Sequence, residues 1–243
     1  MKIEFDGRTV LVTGATGGIG AEIVRQLAAS DASVVAAGRN REILDQLSEE
    51  TGCRTLAFDL TSLKETEAAL ADLDVWGVVN CGGFGGEIAT PQDTDIEVFD
   101  KVMAINARGT MLVTKYTSRS MIRLGQGGSI VNVSSQASLV ALQNHVSYGS
   151  SKAAVDNITR VSALELGQYG IRVNSVHPTV VMTEMSEFYW GRPEIGGPFL
   201  EQMPLGRWAT QAEVASPVLF LLSDAASMIT GVHLPIDGGY TCR

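Results

Sequence analysis

A glycine-rich turn between an apolar run and a helical period constrains this chain more than any other feature. Thr9-Val10-Leu11-Val12-Thr13 is an unbroken strand-like run, Gly14-Ala15-Thr16-Gly17-Gly18-Ile19-Gly20 follows it, and residues 19–29 then repeat apolar side chains at helical spacing. A second run, Ser33-Val34-Val35-Ala36-Ala37, closes a β-α-β unit. Glycines in such a turn let backbone N–H groups come close to a pyrophosphate at the helix N-terminus, where the dipole favours anions. The spacing is G-x-x-x-G-x-G, and the strand-turn-helix context points to a nucleotide-binding turn rather than an ordinary one.

Further apolar runs follow at Thr55 to Phe58, Val75 to Val79, Ser129 to Val133, Arg172 to Val176 and Val232 to Ile236, mostly separated by helical segments. Buried parallel strands read as continuous apolar runs because both faces of the sheet are covered. The expectation is one α/β domain over residues 1–243, a Rossmann-type doubly wound parallel sheet with helices on both faces. No linker, repeat or low-complexity tract divides it. Residues 183–204, punctuated by Gly191, Pro193, Gly196, Gly197 and Pro198, read as a substrate loop or lid.

Several function classes are excluded at this level. A formal charge of -9 argues against nucleic-acid binding, which needs a surplus of Lys and Arg. No apolar run reaches the roughly 18–20 residues of a membrane span, and the acids in Met1-Lys2-Ile3-Glu4-Phe5-Asp6 do not suit a targeting peptide, so a cytoplasmic location is expected. Cys53, Cys81 and Cys242 are too few and too scattered for a disulfide framework, and His145, His177 and His233 lack helical metal-ligand spacing, so no metal is expected.

Two further patterns carry chemistry. The second strand ends Ala36-Ala37-Gly38-Arg39 with no acid until Glu42, where an NAD site usually has a ribose-binding carboxylate; Arg39 suits a ribose phosphate and hence NADP(H), the plain alternative being a solvated arginine. Downstream, Lys152 lies one helical turn after Tyr148. A free tyrosine titrates near 10, and an adjacent ammonium favours the phenolate that acid/base work at neutral pH requires.

Together with Asp59-Leu60, Asn80-Cys81-Gly82-Gly83, Asn106, Ser135 and the Pro178 to Thr183 segment, these elements resemble the short-chain dehydrogenase/reductase family over essentially the whole chain. The resemblance implies that Tyr148 is the general acid/base, that Lys152 assists it and holds the nicotinamide ribose, that Ser135 hydrogen-bonds the substrate oxygen and that Asn106 supports a proton relay. It implies cofactor contacts from Gly14, Gly18, Ile19, Gly20, Arg39, Asp59, Leu60, Asn80, Gly82, Val181 and Thr183. Asn132 to Gln136, Asn144-His145, Trp190 and the Pro178-Thr179 pair are similar to a branch of tetrameric carbonyl and sugar reductases. That branch implies a homotetramer reducing a small polar ketone, a ketose such as L-xylulose or an α-dicarbonyl, with Gln136, His145 and Trp190 beside the substrate.

Alternatives stand beside these readings. Ser134 rivals Ser135, and His145 is equally readable as a solvated loop histidine. Other polyol dehydrogenases, a 3-oxoacyl reductase and a nucleotide-sensing regulator on the same scaffold are the rival functions. The helix from Lys152 to Gln168, apolar nearly all round, reads as buried on two faces, the second against another subunit.

Overall fold

The computed structural model describes residues 3–242, apart from the side chains of Glu184 and Met185; Met1 and Lys2, which belong to the reading of the N-terminus above, lie outside the described residues. Its strands are β1 (Thr9–Thr13), β2 (Ser33–Gly38), β3 (Arg54–Ala57), β4 (Gly77–Asn80), β5 (Gly128–Val133), β6 (Ile171–Pro178) and β7 (His233–Ile236), paired in parallel in the order β3-β2-β1-β4-β5-β6-β7. Helices α1 (Gly18–Ala28), α2 (Arg41–Thr51), α3 (Leu63–Leu70), α4 (Ile96–Met103), α5 (Gly109–Leu124), α6 (Val146–Leu166) and α9 (Gln211–Leu222) surround this sheet, with α7 (Glu184–Trp190) and α8 (Pro193–Leu200) inserted before α9.

The unbroken apolar runs are explained by the two cores. Val10, Val12, Val34, Ala36, Val79 and Val131 join one buried cluster with Ile23, Val24 and Leu27 of α1 and Val218 and Leu222 of α9. Their strand neighbours Leu11, Val35, Ala37, Val78 and Ile130 join the other, with Val113 and Met121 of α5 and Ala163 of α6. Successive side chains point to opposite faces, so a strand covered on both sides must be apolar at every position. Each full burial contributes roughly 1.5–3 kcal/mol.

Between β1 and β4 the strand order reverses direction, and Thr13 pairs with Asn80 at the carboxyl ends. A crevice opens at such a switch point because the two connections leave to opposite sides. The nucleotide turn, Asn80-Cys81-Gly82 and the end of β5 all face it.

The structure refines the sequence reading in three places. The 183–204 loop holds two short helices: Ser186 Oγ accepts the Thr183 N–H at 2.9 Å to start α7, and Pro193 starts α8. These were signals of helix start that the glycines and prolines obscured. Helix α6 begins at Val146, so Tyr148 is itself helical. Its buried side is mixed rather than purely apolar, with Ser151, Lys152, Asp156 and Thr159 turned inward, while Leu164 is 83% exposed.

Candidate active site

The nucleotide turn is built by close approach. Gly14 has φ +68°, and a Cβ there would lie 2.6 Å from Gly82 Cα, so only glycine lets β1 and β4 close at this point. A Cβ on Gly20 would collide with the Gly14 carbonyl oxygen. On Gly18 it would lie 2.6 Å from Gln211 Nε2 and 3.0 Å from Thr183 Cγ2, which joins the turn to the Pro178–Thr183 segment. Gly17 is the N-cap of α1 and offers no side-chain cap, and Ile19 is the second residue of the helix. An uncapped helix N-terminus behind a floor with no room for Cβ atoms fits a dinucleotide pyrophosphate.

Around this floor, Leu60 Cδ1 would lie 2.6 Å from a Cβ on Gly82, so the wall beside Asn80-Cys81-Gly82 is closely packed. Asp59 Oδ1 accepts the Thr61 N–H at 2.8 Å and the Thr61 hydroxyl at 2.9 Å. The Thr61 backbone contact, then its hydroxyl and Arg39, hold the Asp59 carboxyl below its ordinary range. Arg39 itself is exposed just beyond β2. Val181 is buried and bridges Ala209.

Asn80 is placed differently from the rest. Its Nδ2 donates to Asn132 Oδ1 at 2.8 Å, Asn132 Nδ2 donates to Thr159 Oγ1 at 2.8 Å, and Asn80 Oδ1 is a buried acceptor without a partner among the described residues. The side chain ties β4 through β5 to α6.

Lys152 reaches from α6 to donate to the Val133 carbonyl at 2.8 Å, with its Nζ 5.6 Å from the centre of the Tyr148 ring. A Cβ on Gly83 would lie 3.6 Å from both Lys152 Nζ and Asn106 Oδ1, so the three residues adjoin. Asn106 sits in a π-helical turn, Ala104–Arg108, inserted between α4 and α5. Such turns bulge a helix and recur at functional sites. Its side chain is saturated: Oδ1 accepts the Phe84 N–H at 2.8 Å, and Nδ2 donates to the Phe84 carbonyl at 3.0 Å and Ser151 Oγ at 2.9 Å.

The two candidate serines separate by their partners. Ser134 Oγ donates to Asp156 Oδ1 at 2.6 Å in a buried pair. Among the described residues Ser135 Oγ accepts only the Ala137 N–H at 3.2 Å, which leaves its hydrogen free for a ligand. Gln136 Oε1 is a second buried acceptor without a partner among the described residues.

On the far side, His145 is buried and its Nδ1 lies 2.6 Å from the Gln143 carbonyl, so Nδ1 carries the hydrogen and Nε2 is an acceptor. Burial pushes its pKa down. The ring stacks on Trp190 at 5.7 Å and 22°. Trp190 in turn packs on Phe199 at 4.6 Å, and Phe199 stacks on Tyr240 at 4.8 Å. Sequence reasoning found Trp190 but not Phe199 or Tyr240. Aromatics make up only 6% of the chain, so their concentration near residues 188–208 was the signal available.

Sequence spacing also missed that Asp156 of α6, His177 of β6 and His233 of β7 bring ligand-type atoms within 4.8 Å of one another. Ser175 Oγ bonds a nitrogen of each ring, at 2.8 Å to His177 Nε2 and 2.6 Å to His233 Nδ1. The Ser175 hydroxyl thus bridges the two rings.

With this geometry in view, comparison with known proteins gives consistent results. The family model described as enoyl-(acyl carrier protein) reductase matches residues 14–241. The chain is 42% identical to the L-xylulose reductase of Bos taurus over 99% of both chains, and 38% identical to the D-erythrulose reductase of Gallus gallus over 98% of this chain and 97% of that one. A solved structure from Agrobacterium tumefaciens with bound NADP superposes with a TM-score of 0.92 at 29% identity, covering 100% of this chain and 99% of its own. The chain belongs to the short-chain dehydrogenase/reductase family. It is an oxidoreductase that acts on CH–OH groups with a nicotinamide cofactor and a small-molecule substrate. Among the described residues no helix is long and apolar enough to cross a membrane.

Proposed function

We propose that this enzyme reduces a small polar ketone, a ketose such as L-xylulose or an α-dicarbonyl, to the alcohol with NADPH, reversibly. The observation that carries the reading is the Tyr148–Lys152 pair on α6, with Lys152 anchored on the Val133 carbonyl at the end of β5, two residues before the Ser135 hydroxyl. His145 and Trp190 form the aromatic wall that sorts the substrate. The bound nicotinamide supplies the hydride in reduction and accepts it in oxidation.

Tyr148 gives its phenolic proton to the substrate oxygen as charge develops there, and Ser135 donates a second hydrogen bond to the same atom. The Lys152 ammonium favours the negative charge left on Tyr148, and its anchor on Val133 keeps it aimed there. Asn106, saturated by Phe84 and Ser151, fixes the π turn next to Lys152 rather than donating to substrate through its side chain. Gln136 Oε1 and His145 Nε2 are acceptors for substrate hydroxyls, and Trp190 gives sugar C–H groups an apolar face.

Gly14, Gly18, Ile19 and Gly20 hold the pyrophosphate, Asp59 and Leu60 the adenine side, Gly82 and Asn80 the opposite wall, and Val181 and Thr183 the carboxamide. Arg39 selects NADP(H), since no carboxylate ends β2. The bovine L-xylulose and chicken D-erythrulose reductases support the substrate class. The working form in this reading is a cytoplasmic homotetramer.

Initial rates with L-xylulose, D-erythrulose, diacetyl, a steroid ketone and a 3-oxoacyl thioester, each with NADPH and NADH, test the proposal. The ketoses or the dicarbonyl are expected to give the highest kcat/KM, with NADPH, because apolar ligands leave buried acceptors unpaired. A steroid or thioester turned over more efficiently than all of them overturns it.

A further inference from the structure

Behind Ser135 runs a chain of hydrogen bonds whose two ends are fixed independently. At the outer end the exposed Arg160 guanidinium, which has only donors, lies 2.9 Å from His233 Nε2, so that nitrogen accepts. At the inner end His177 Nδ1 lies 3.1 Å from the Ser135 carbonyl oxygen, which only accepts, and 3.1 Å from Ser138 Oγ, whose one hydrogen goes to that same carbonyl at 2.6 Å, so Nδ1 carries a hydrogen. Between them Ser175 Oγ touches His233 Nδ1 at 2.6 Å and His177 Nε2 at 2.8 Å.

With both rings neutral, as burial favours, one arrangement satisfies every contact. His233 donates through Nδ1 to Ser175, Ser175 donates to His177 Nε2, and His177 donates through Nδ1 to Ser135. Both ends demand the same direction, and Ser175 meets it by accepting from His233 and giving its one hydrogen to His177 Nε2. Its competitor, the Val232 carbonyl, lies farther away at 3.4 Å.

We propose that His177, locked in its Nδ1–H tautomer by Arg160, His233 and Ser175, is a positioning residue for Ser135. This rests on the reading of Ser135 as the donor to the substrate oxygen. The Ser135 carbonyl receives hydrogens from His177 Nδ1 and from Ser138 Oγ at 2.6 Å, so the backbone of the residue that must meet substrate is held from behind. The opposite tautomer would turn a lone pair toward that carbonyl and leave Ser138 to hold it alone. The charged groups around His177 are Asp156 and Lys152 of α6 and, through His233 of β7, Arg160. Asp156 Oδ1 lies 3.5 Å from Nε2 and already accepts from Ser134. A proton added to Nε2 would meet Asp156 and leave the Nδ1 contact in place.

Three variants separate positioning from mere packing. His177→Asn places an amide N–H where Nδ1 was, His177→Gln places its amide near Nε2, and His177→Leu removes both. The expected result is a fall in kcat of about 3- to 10-fold for Leu and Gln, the worth of one lost hydrogen bond, with coenzyme Kd unchanged and most of kcat recovered by Asn. Wild-type kcat in His177→Leu, or Asn no better than Leu, overturns the proposal.

Should the Leu variant fail to fold, nitrogen-15 histidine spectra of the wild type and of the surface variant Arg160→Met decide. Both rings must appear as Nδ1–H tautomers in the wild type, and His233 must lose that fixed state in the variant. A His177 hydrogen on Nε2 alone, or a His233 tautomer indifferent to Arg160, overturns it. Ser135→Ala is the control: full turnover there sinks the functional reading itself, whereas a dead Ser135→Ala beside an active His177→Leu sinks only this inference.

Discussion

Lys152 Nζ and the Tyr148 ring are neighbours on one face of α6, 5.6 Å from nitrogen to ring centre, and the ammonium is held there by the Val133 carbonyl at 2.8 Å. The helix supplies the spacing, and β5 supplies the anchor that stops the lysine from swinging into solvent.

Tyr148→Phe keeps the ring and removes the proton. Turnover is expected to fall by at least about 100-fold while NADPH binding stays nearly intact. Steady-state kinetics with coenzyme titration checks this, and near-normal turnover contradicts the assignment.

Lys152→Met leaves the Val133 carbonyl without its donor and removes the charge beside Tyr148. A fall in kcat should come with weaker coenzyme binding, because the proposed ribose contact is lost as well. A charge-assisted hydrogen bond is worth about 1.5–3 kcal/mol, a factor of roughly 10–150 in Kd. Unchanged coenzyme affinity by fluorescence titration removes the ribose role.

Arg39→Asp puts a carboxylate beside Asp59, which already feels the Arg39 charge. NADPH affinity should drop by roughly 10-fold or more, through lost attraction and new repulsion, while NADH is unchanged or improved. The ratio of the two kcat/KM values is the measurement. A wild type that already prefers NADH, or a mutant that retains its NADPH preference, shows Arg39 to be a solvated surface residue.

Leu164, 83% exposed on α6, and Val161, 44% exposed, present apolar surface that one chain leaves open. Light scattering should give four times the 25.8 kDa chain mass for the wild type and a smaller species for Leu164→Glu with its fold retained. A monomeric wild type refutes the tetramer.

Acid should destabilise the fold before the carboxylates titrate. Burial lowers the pKa of His145, His177 and His233, so between the ordinary histidine value near 6.5 and their lowered values the unfolded chain binds more protons than the folded one. Stability is therefore full above about pH 6.5 and declines as pH falls through that window. The lowered carboxyls of Asp59 and Asp224 start from 3.8 and act only at lower pH. Tm should drop between pH 7.5 and 5.5, and a Tm that holds or rises argues against neutral buried rings.

The seven strands, the nucleotide turn and the Tyr148–Lys152 pair were legible in the sequence because each is a local pattern. A strand buried on both faces must be apolar throughout, a turn as tight as Gly14 needs glycine, and residues four apart on a helix share a face. The two lid helices were not legible, since α7 and α8 are short, glycine- and proline-broken, and rest on Trp190 packing against Phe199 and on to Tyr240, about fifty residues down the chain. The thirteen-residue spacing to Tyr148 favours Ser135 over Ser134 through the family resemblance, but what occupies Ser134 was not legible: Asp156, which engages it, lies on a different element. The same holds for His177 and His233, which meet only because β6 and β7 pair in register, Ser175 against His233. The sequence by itself determined which backbone segments form and what chemistry they carry. Only tertiary structure decided which hydroxyl is left free, which tautomer a buried ring adopts and which aromatic rings close the cleft, because those depend on partners brought together across the sheet.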